Sequence, residues 1–309
     1  MKGLSKKDKV RFQEIQSSLL KFDNTCKKLP GIHKQRYREC LIYQLIDSIR
    51  RIEYVQTFYE RDISPLRADP RSDLFDPLKA AALHAQKGNH DEACWLVFLA
   101  THFGKHIRKG WILTSVVYGA LGNHLWDWKT SSLDSQKISD WISNNSEAIL
   151  DVTGSNCFSN HRKYESLKTT PKAIKSYIDW INSNNSHRDL IRISHDKVGQ
   201  NPHDVFDYLY RDMKVYRFGR LGKFDYLTMI GKLGLAPISP GKTYMTGATG
   251  PRPGAQLLFN GNTDKAIPPV KLDVWLSELG EKCDLTMQVL EDALCNWQKS
   301  PEQYVLFRG

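Results

Sequence analysis

A mostly α-helical fold is predicted by three features of the sequence. Apolar residues recur at three- and four-residue steps along most of the chain, the period of a helix with one buried face. No alternating apolar–polar run longer than four residues stands out as a strand. Glycine, asparagine and proline sit at the ends of the periodic segments, where helices close and open. With 309 residues, 40% of them hydrophobic and 25% charged, the chain has the material for a substantial core.

The elements follow in order. The opening MKGLSKKDKVRFQEIQ is charged and lacks the apolar centre of a signal peptide. From His33 to Asp62, Leu41, Leu45, Ile49, Ile52 and Val55 mark one long amphipathic helix. A Pro/Asp-rich link, SPLRADPRSDLFDP, leads to PLKAAALHAQKG, a helix closed by Gly88. Asn89 is placed to cap HDEACWLVFLATHFGKH, and WILTSVVYGALG is a further helix closed by Gly122. SDWISNNS (139–146) is echoed by DWINSNNS (179–186). Asn and Ser compete there for backbone hydrogen bonds, so both copies read as helix endings rather than as a repeat architecture. The helical pattern resumes after Asn201-Pro202 with HDVFDYLYRDM. FGRLGKFDYLTMIGKLGL then reads as a basic loop broken by glycines, followed by a helix from Phe224 to Leu233. Helices are expected in AIPPVKLDVWLSELG, behind Pro268-Pro269, and in DLTMQVLEDALCNWQ. We expect an N-terminal helical extension over 1–75 and a helical catalytic region over 76–309 with a hairpin at 245–261.

Charge and composition narrow the function. A formal net charge of +10 and a pI of about 9.2 suit a polyanionic partner. The longest apolar stretch, Cys94 to Ala100, is far too short to cross a bilayer. The six cysteines include no CxxC pair, and Cys94 and Cys295 lie in apolar helical patterns. A reduced, cytoplasmic, monomeric protein with no zinc framework and no cofactor is expected.

The hairpin MTGATGPRPGAQLLFNG is the most unusual segment. No GK[ST] ends it, and neither the strand nor the acidic residue of a dinucleotide fingerprint accompanies it. A glycine-rich turn before a helix suits one DNA phosphate, which makes Gly247, Gly250, Arg252 and Gly254 candidate backbone contacts. A tight interhelical turn with no ligand fits the same residues. PPVKLDVWL follows about fifteen residues later. The pair resembles helix-hairpin-helix DNA glycosylases, in which a glycine-rich hairpin and an apolar helix precede a helix start bearing the catalytic aspartate. Lys271 occupies that column here, and Asp273 lies two residues on.

A broader resemblance runs from about Ala100 to the C-terminus. ATHFGKH, NHRKYES, FGRLGKFDYLTMIGKLGL, PGKTYMTGATGPRPGAQLLF and LDVWLSELG occur in one order. Together they resemble the alpha-glutamyl/putrescinyl thymine pyrophosphorylase family, in its clade from bacterial conflict systems. The resemblance implies an enzyme related to helix-hairpin-helix glycosylases that handles bulky modified bases in phage DNA during antiviral defence. Two chemistries come with it. One is excision of the modified base, leaving an abasic site. The alternative is amine transfer to an activated pyrimidine.

Excision needs a negative charge beside C1′ and a base for water. Asp273, in the first turn of its helix, is the first candidate. Lys271 is the rival as an amine nucleophile. A flipped base needs a pocket, for which Asp225, Tyr226, His102, Phe103, His161 and Tyr164 are candidates. Arg220, Lys223, Arg162 and Lys163 are candidate backbone contacts, and GRLGK could equally hold pyrophosphate in the transfer reading. His102 and His106 stand four apart, but Gly104 interrupts them and no HExxH carboxylate accompanies them, so no metal site is expected. The bland alternatives remain a helix cap for Asp225, core packing for Tyr226, solvated charges for the basic loop, and a DNA-binding module without chemistry.

Overall fold

The computed structural model describes residues 4–162, 164–264 and 266–306. Fifteen α-helices and no β-strand occur among them. In chain order they are α1 (Lys6–Thr25), α2 (Gln35–Gln56), α3 (Pro77–Gln86), α4 (His90–Phe103), α5 (Ile112–Tyr118), α6 (Trp128–Leu133), α7 (Ser135–Asn144), α8 (Ser146–Thr153), α9 (Thr170–Asn182), α10 (His187–Val198), α11 (Pro202–Asp212), α12 (Arg220–Lys232), α13 (Pro251–Asn260), α14 (Pro269–Cys283) and α15 (Met287–Trp297). The mostly α class read from the periodicity is the class observed.

Local chemistry accounts for most boundaries. Asp76 accepts from Leu78 N and Lys79 N ahead of Pro77, and Asn201 accepts from His203 N ahead of Pro202. Asn89 does precede α4, but its side chain makes no cap bond; Asp91 and Glu92 supply the negative charge in that first turn instead. The paired Asn/Ser segments are helix endings, as expected. Asn145 Nδ2 donates to Trp141 O, and Asn184 Nδ2 donates to Trp180 O, each competing for a last-turn carbonyl. Two boundaries differ clearly: α2 ends at Gln56, six residues short of the expected Asp62, and α12 begins at Arg220, four residues before the predicted start. The basic stretch read as a loop is its first turn. Within that turn Gly222 leaves room for its neighbours, since a Cβ there would lie 3.0 Å from Phe218 and 3.3 Å from Arg162 Nη1.

Contacts group the helices into two compact units, Met1–Tyr54 with Pro240–Phe307 and Val55–Ser239. In the first, α1 and α2 share one apolar core with the C-terminal helices, through Phe12, Leu19, Leu45, Leu258, Leu276 and Trp297. Trp297 Nε1 donates to Tyr37 O, and Arg51 pairs with Asp292 at 2.7 Å. In the second unit α4 is central. Every residue from Ala93 to Ala100 is buried, which explains why CWLVFLA is apolar on all sides. Phe98 stacks on Tyr177 with 3.8 Å between centroids and packs against Trp95 and Phe218. Each such buried ring contributes roughly 1.5–3 kcal/mol by leaving water.

The glycines of the hairpin region serve packing. Gly247 turns the chain with φ +75°. A Cβ on Gly250 would lie 2.4 Å from Cys295 Sγ, and one on Gly254 would lie 2.3 Å from Leu294 O. Both glycines thus let α13 and the chain before it approach α15. Gly254→Ala forces those backbones apart and is expected to cost roughly 1–3 kcal/mol. Urea unfolding measures this, and an unchanged midpoint would contradict the close approach.

Candidate functional site

Three segments of the second unit converge on one buried arginine. The first is the end of α4, where Gly104 takes φ +68°. A Cβ at Gly104 would lie 2.0 Å from Ser159 Oγ, so only glycine admits the next segment. That segment is the turn Asn160–Arg162, tied to α4 by Ser159 N donating to Phe103 O at 3.1 Å. The third is the start of α12. Arg162 leaves 9% of its side chain exposed and donates from Nη2 to Asp225 Oδ2 at 3.0 Å. Its guanidinium lies over the Phe218 ring, 5.7 Å from the centroid.

Asp225 is the centre of charge. It gives one oxygen to Arg162 and leaves 41% of its side chain open to solvent. Burial raises its pKa, and the charges of Arg162, His161, Arg220 and Lys232 pull the other way; the net direction is upward. Four cationic side chains therefore act on one carboxylate. Three of them were singled out in the sequence. Lys232 was not, although its i+7 spacing from Asp225 places it on the same helix face. Arg220 also lies against the Phe224 ring, with Cζ 4.8 Å from the centroid. A cavity of about 520 Å³ adjoins the far side of the arginine turn, lined among others by Ser143, Phe158, Glu165 and Ser166. Glu165 links the two, since its N–H donates to Arg162 O.

The remaining expected residues lie elsewhere. His102 is buried against Phe98, Phe103, Phe158 and Phe218, with Nε2 3.0 Å from Thr170 Oγ1. Burial first, then Arg162 and Arg217, hold its pKa down to about 3, so it is a neutral core imidazole beside the site. His106 points away from it and accepts at Nδ1 from Arg108 N and Lys109 N. Phe103 and Tyr226 are core residues, 0% and 1% exposed, and the Tyr226 hydroxyl bonds Tyr177. Neither offers a base an open ring face. Tyr164 is 79% exposed. Lys223 turns to Tyr210, donating to its carbonyl at 3.1 Å. Lys163 lies outside the described residues.

The first unit holds the other candidates. Asp273 accepts from Thr243 Oγ1 at 2.7 Å and from Met245 N at 3.1 and 3.2 Å. Its oxygens thus fasten the segment where Tyr244 adopts φ +53°. Lys271 lies over the Trp275 ring, 4.9 Å from the centroid. Arg252 is half-buried on α13.

A second cavity in the α4 unit, of about 600 Å³, is lined by Asp91, Glu92, Asp127, His84 and Trp128 among others. Glu92 accepts from the Tyr118 hydroxyl at 2.7 Å and from Trp128 N at 2.5 Å. Burial nonetheless pushes its pKa up to about 7. These residues carried no sequence signal beyond an ordinary acidic first turn.

The chain belongs to the alpha-glutamyl/putrescinyl thymine pyrophosphorylase family: the model of clade 3 matches residues 36–309. No curated protein and no solved structure matches it. No helix among the described residues is long and apolar enough to cross a membrane.

Two measurements check this geometry. Asp273→Ala strands the Thr243 hydroxyl and the Met245 N–H and is expected to cost roughly 1–3 kcal/mol of stability, read as a lower melting temperature. Glu92 keeps its proton to about pH 7 when folded but loses it near 4.5 when unfolded. The folded state binds the extra proton, so this group's contribution to stability falls as pH rises through that window. Glu92→Gln should therefore gain on the wild type in urea midpoint between those pH values; a constant difference would refute the raised pKa.

Proposed function

We propose that this family member joins an amine to a pyrophosphate-activated thymine in DNA, releasing pyrophosphate, at the Asp225–Arg162 pair. The observation that carries the reading is the pairing, at 3.0 Å, of a buried Arg162 with a carboxylate that stays 41% open to solvent, on a helix that also carries Arg220 and Lys232. The family name supports the same chemistry, since it couples glutamyl and putrescinyl thymine to pyrophosphorylase activity.

Each part of the site has work to do in such a transfer. The amine nitrogen attacks the methylene carbon on C5 of the base. The new C–N bond forms as the C–O bond to pyrophosphate breaks, and the electron pair leaves on the pyrophosphate oxygens. Arg162, Arg220 and Lys232 offset the charge that develops there. Nitrogen becomes acidic as it bonds to carbon, and Asp225 takes its proton. A raised pKa improves a carboxylate as that base.

Excision of the whole base, expected from the glycosylase resemblance, draws less support. Its transition state carries positive charge at C1′, which a ring of cations opposes. Asp273, the carboxylate favoured for that role, spends its oxygens on its own chain.

The test uses duplex DNA carrying 5-(pyrophosphoryloxymethyl)uracil, with putrescine as the amine. The wild type should release pyrophosphate and leave an intact strand bearing a heavier base. Asp225→Asn should slow the step ~100-fold or more while DNA binding persists. The wild-type rate should decline on the acid side at a pH above the ordinary carboxylate range, and the variant should lack that limb. Abasic sites formed without pyrophosphate release would refute the transfer reading.

A further inference from the structure

We infer that the outer face of α14 around Trp275 is a contact for the sugar-phosphate backbone of DNA. This rests on the proposed DNA substrate and adds a binding surface in the unit that does not hold Asp225. Lys271 and Trp275 stand one turn apart and share a face of α14. Lys27 arrives from the segment just after α1. Its ammonium lies 4.4 Å from the Trp275 centroid, and that of Lys271 lies 4.9 Å from it. Phe259 props the ring at 5.1 Å with a 59° tilt.

Two ammonium groups thus gather on one indole, and neither forms a salt bridge among the described residues. Indole attraction holds each of them, and their two positive charges add to one local field that favours an anion. α14 begins at Pro269, which puts Asp273 just past the first turn expected for it, and with nothing acidic in that turn the positive end of the helix adds to the same field. Val270 and Val274, 70% and 61% exposed, line the adjacent column of the face. Cations beside exposed apolar surface match a strand that offers phosphates and deoxyribose edges. The chain's charge of +10 favours the same polyanion. An acidic protein surface would meet the lysines equally but would give no counterion release from DNA.

The experiment measures affinity for a short unmodified duplex across a salt series. Lys27→Gln with Lys271→Gln should make the log–log salt slope shallower by about 2, near 0.9 for each lost phosphate contact. Lys6→Gln with Lys9→Gln removes the same charge from an exposed part of α1 and should leave the slope unchanged. An unchanged slope in the first pair, an equal loss in both pairs, or no binding by the wild type would overturn the contact. Pyrophosphate release is read separately. A wild type that binds with the expected slope pattern yet transfers no amine sinks the functional reading and leaves this surface standing.

Discussion

The site depends on burying one guanidinium. Arg162 keeps only 9% of its side chain exposed, and a charge in that position needs a partner. Asp225 is the partner, and the requirement propagates. Gly104 must lack a side chain so that the arginine turn can lie against the end of α4, and Gly222 must lack one so that α12 can meet Phe218 and the guanidinium. Phe218 closes the remaining side. A single ion pair therefore explains two glycines, an aromatic residue and the early start of α12. It also sets the electrostatics, since fixing Arg162 beside Asp225 brings His161 with the turn, and α12 carries Arg220 and Lys232.

Beneath that pair, α12 is held by a directional hydrogen-bond chain. Asp91 Oδ1 lies 2.6 Å from His187 Nδ1, His187 Nε2 lies 2.7 Å from the Tyr177 hydroxyl, and that hydroxyl lies 2.8 Å from Tyr226. Burial lowers the pKa of His187, which favours a neutral ring. With Nδ1–H donated to Asp91, Nε2 must accept from Tyr177, and Tyr177 must in turn accept from Tyr226. Every polar group is then satisfied by one arrangement, as a buried network requires. Tyr226 is the neighbour of Asp225 in sequence, so the chain fixes the helix that presents the carboxylate.

Periodicity made the helices legible because burial on one face leaves a mark every three to four residues. Residue type and local charge, not periodicity, marked Asp225, Arg162, His161 and Arg220 as chemistry-bearing, but not their assembly: Arg162 and Asp225 are 63 positions apart. Lys232 escaped notice because a lysine at the end of a helix is ordinary. The glycines misled for a more general reason. A glycine announces that something comes close without saying what. At Gly250 and Gly254 the neighbour is α15 of the same chain, and at Gly104 and Gly222 it is the turn and the arginine of the site. Tyr226 and Phe103 show the same limit for aromatics, whose core and stacking roles share one residue type.

Asp273 and Asp225 sharpen that limit, since the sequence presents both as carboxylates near the start of a helix. Their difference is the state of their oxygens. Asp273 accepts one hydroxyl and one backbone N–H, both from its own chain within a span of three residues, and so stores its charge in loop geometry. Asp225 gives one oxygen to a buried arginine and keeps 41% of its side chain open to solvent. A carboxylate of the first kind is worth stability; one of the second kind holds a proton-accepting position whose affinity its surroundings can tune. Acid–base chemistry requires the second kind, because a base whose lone pairs are already committed has nothing left to offer a substrate proton.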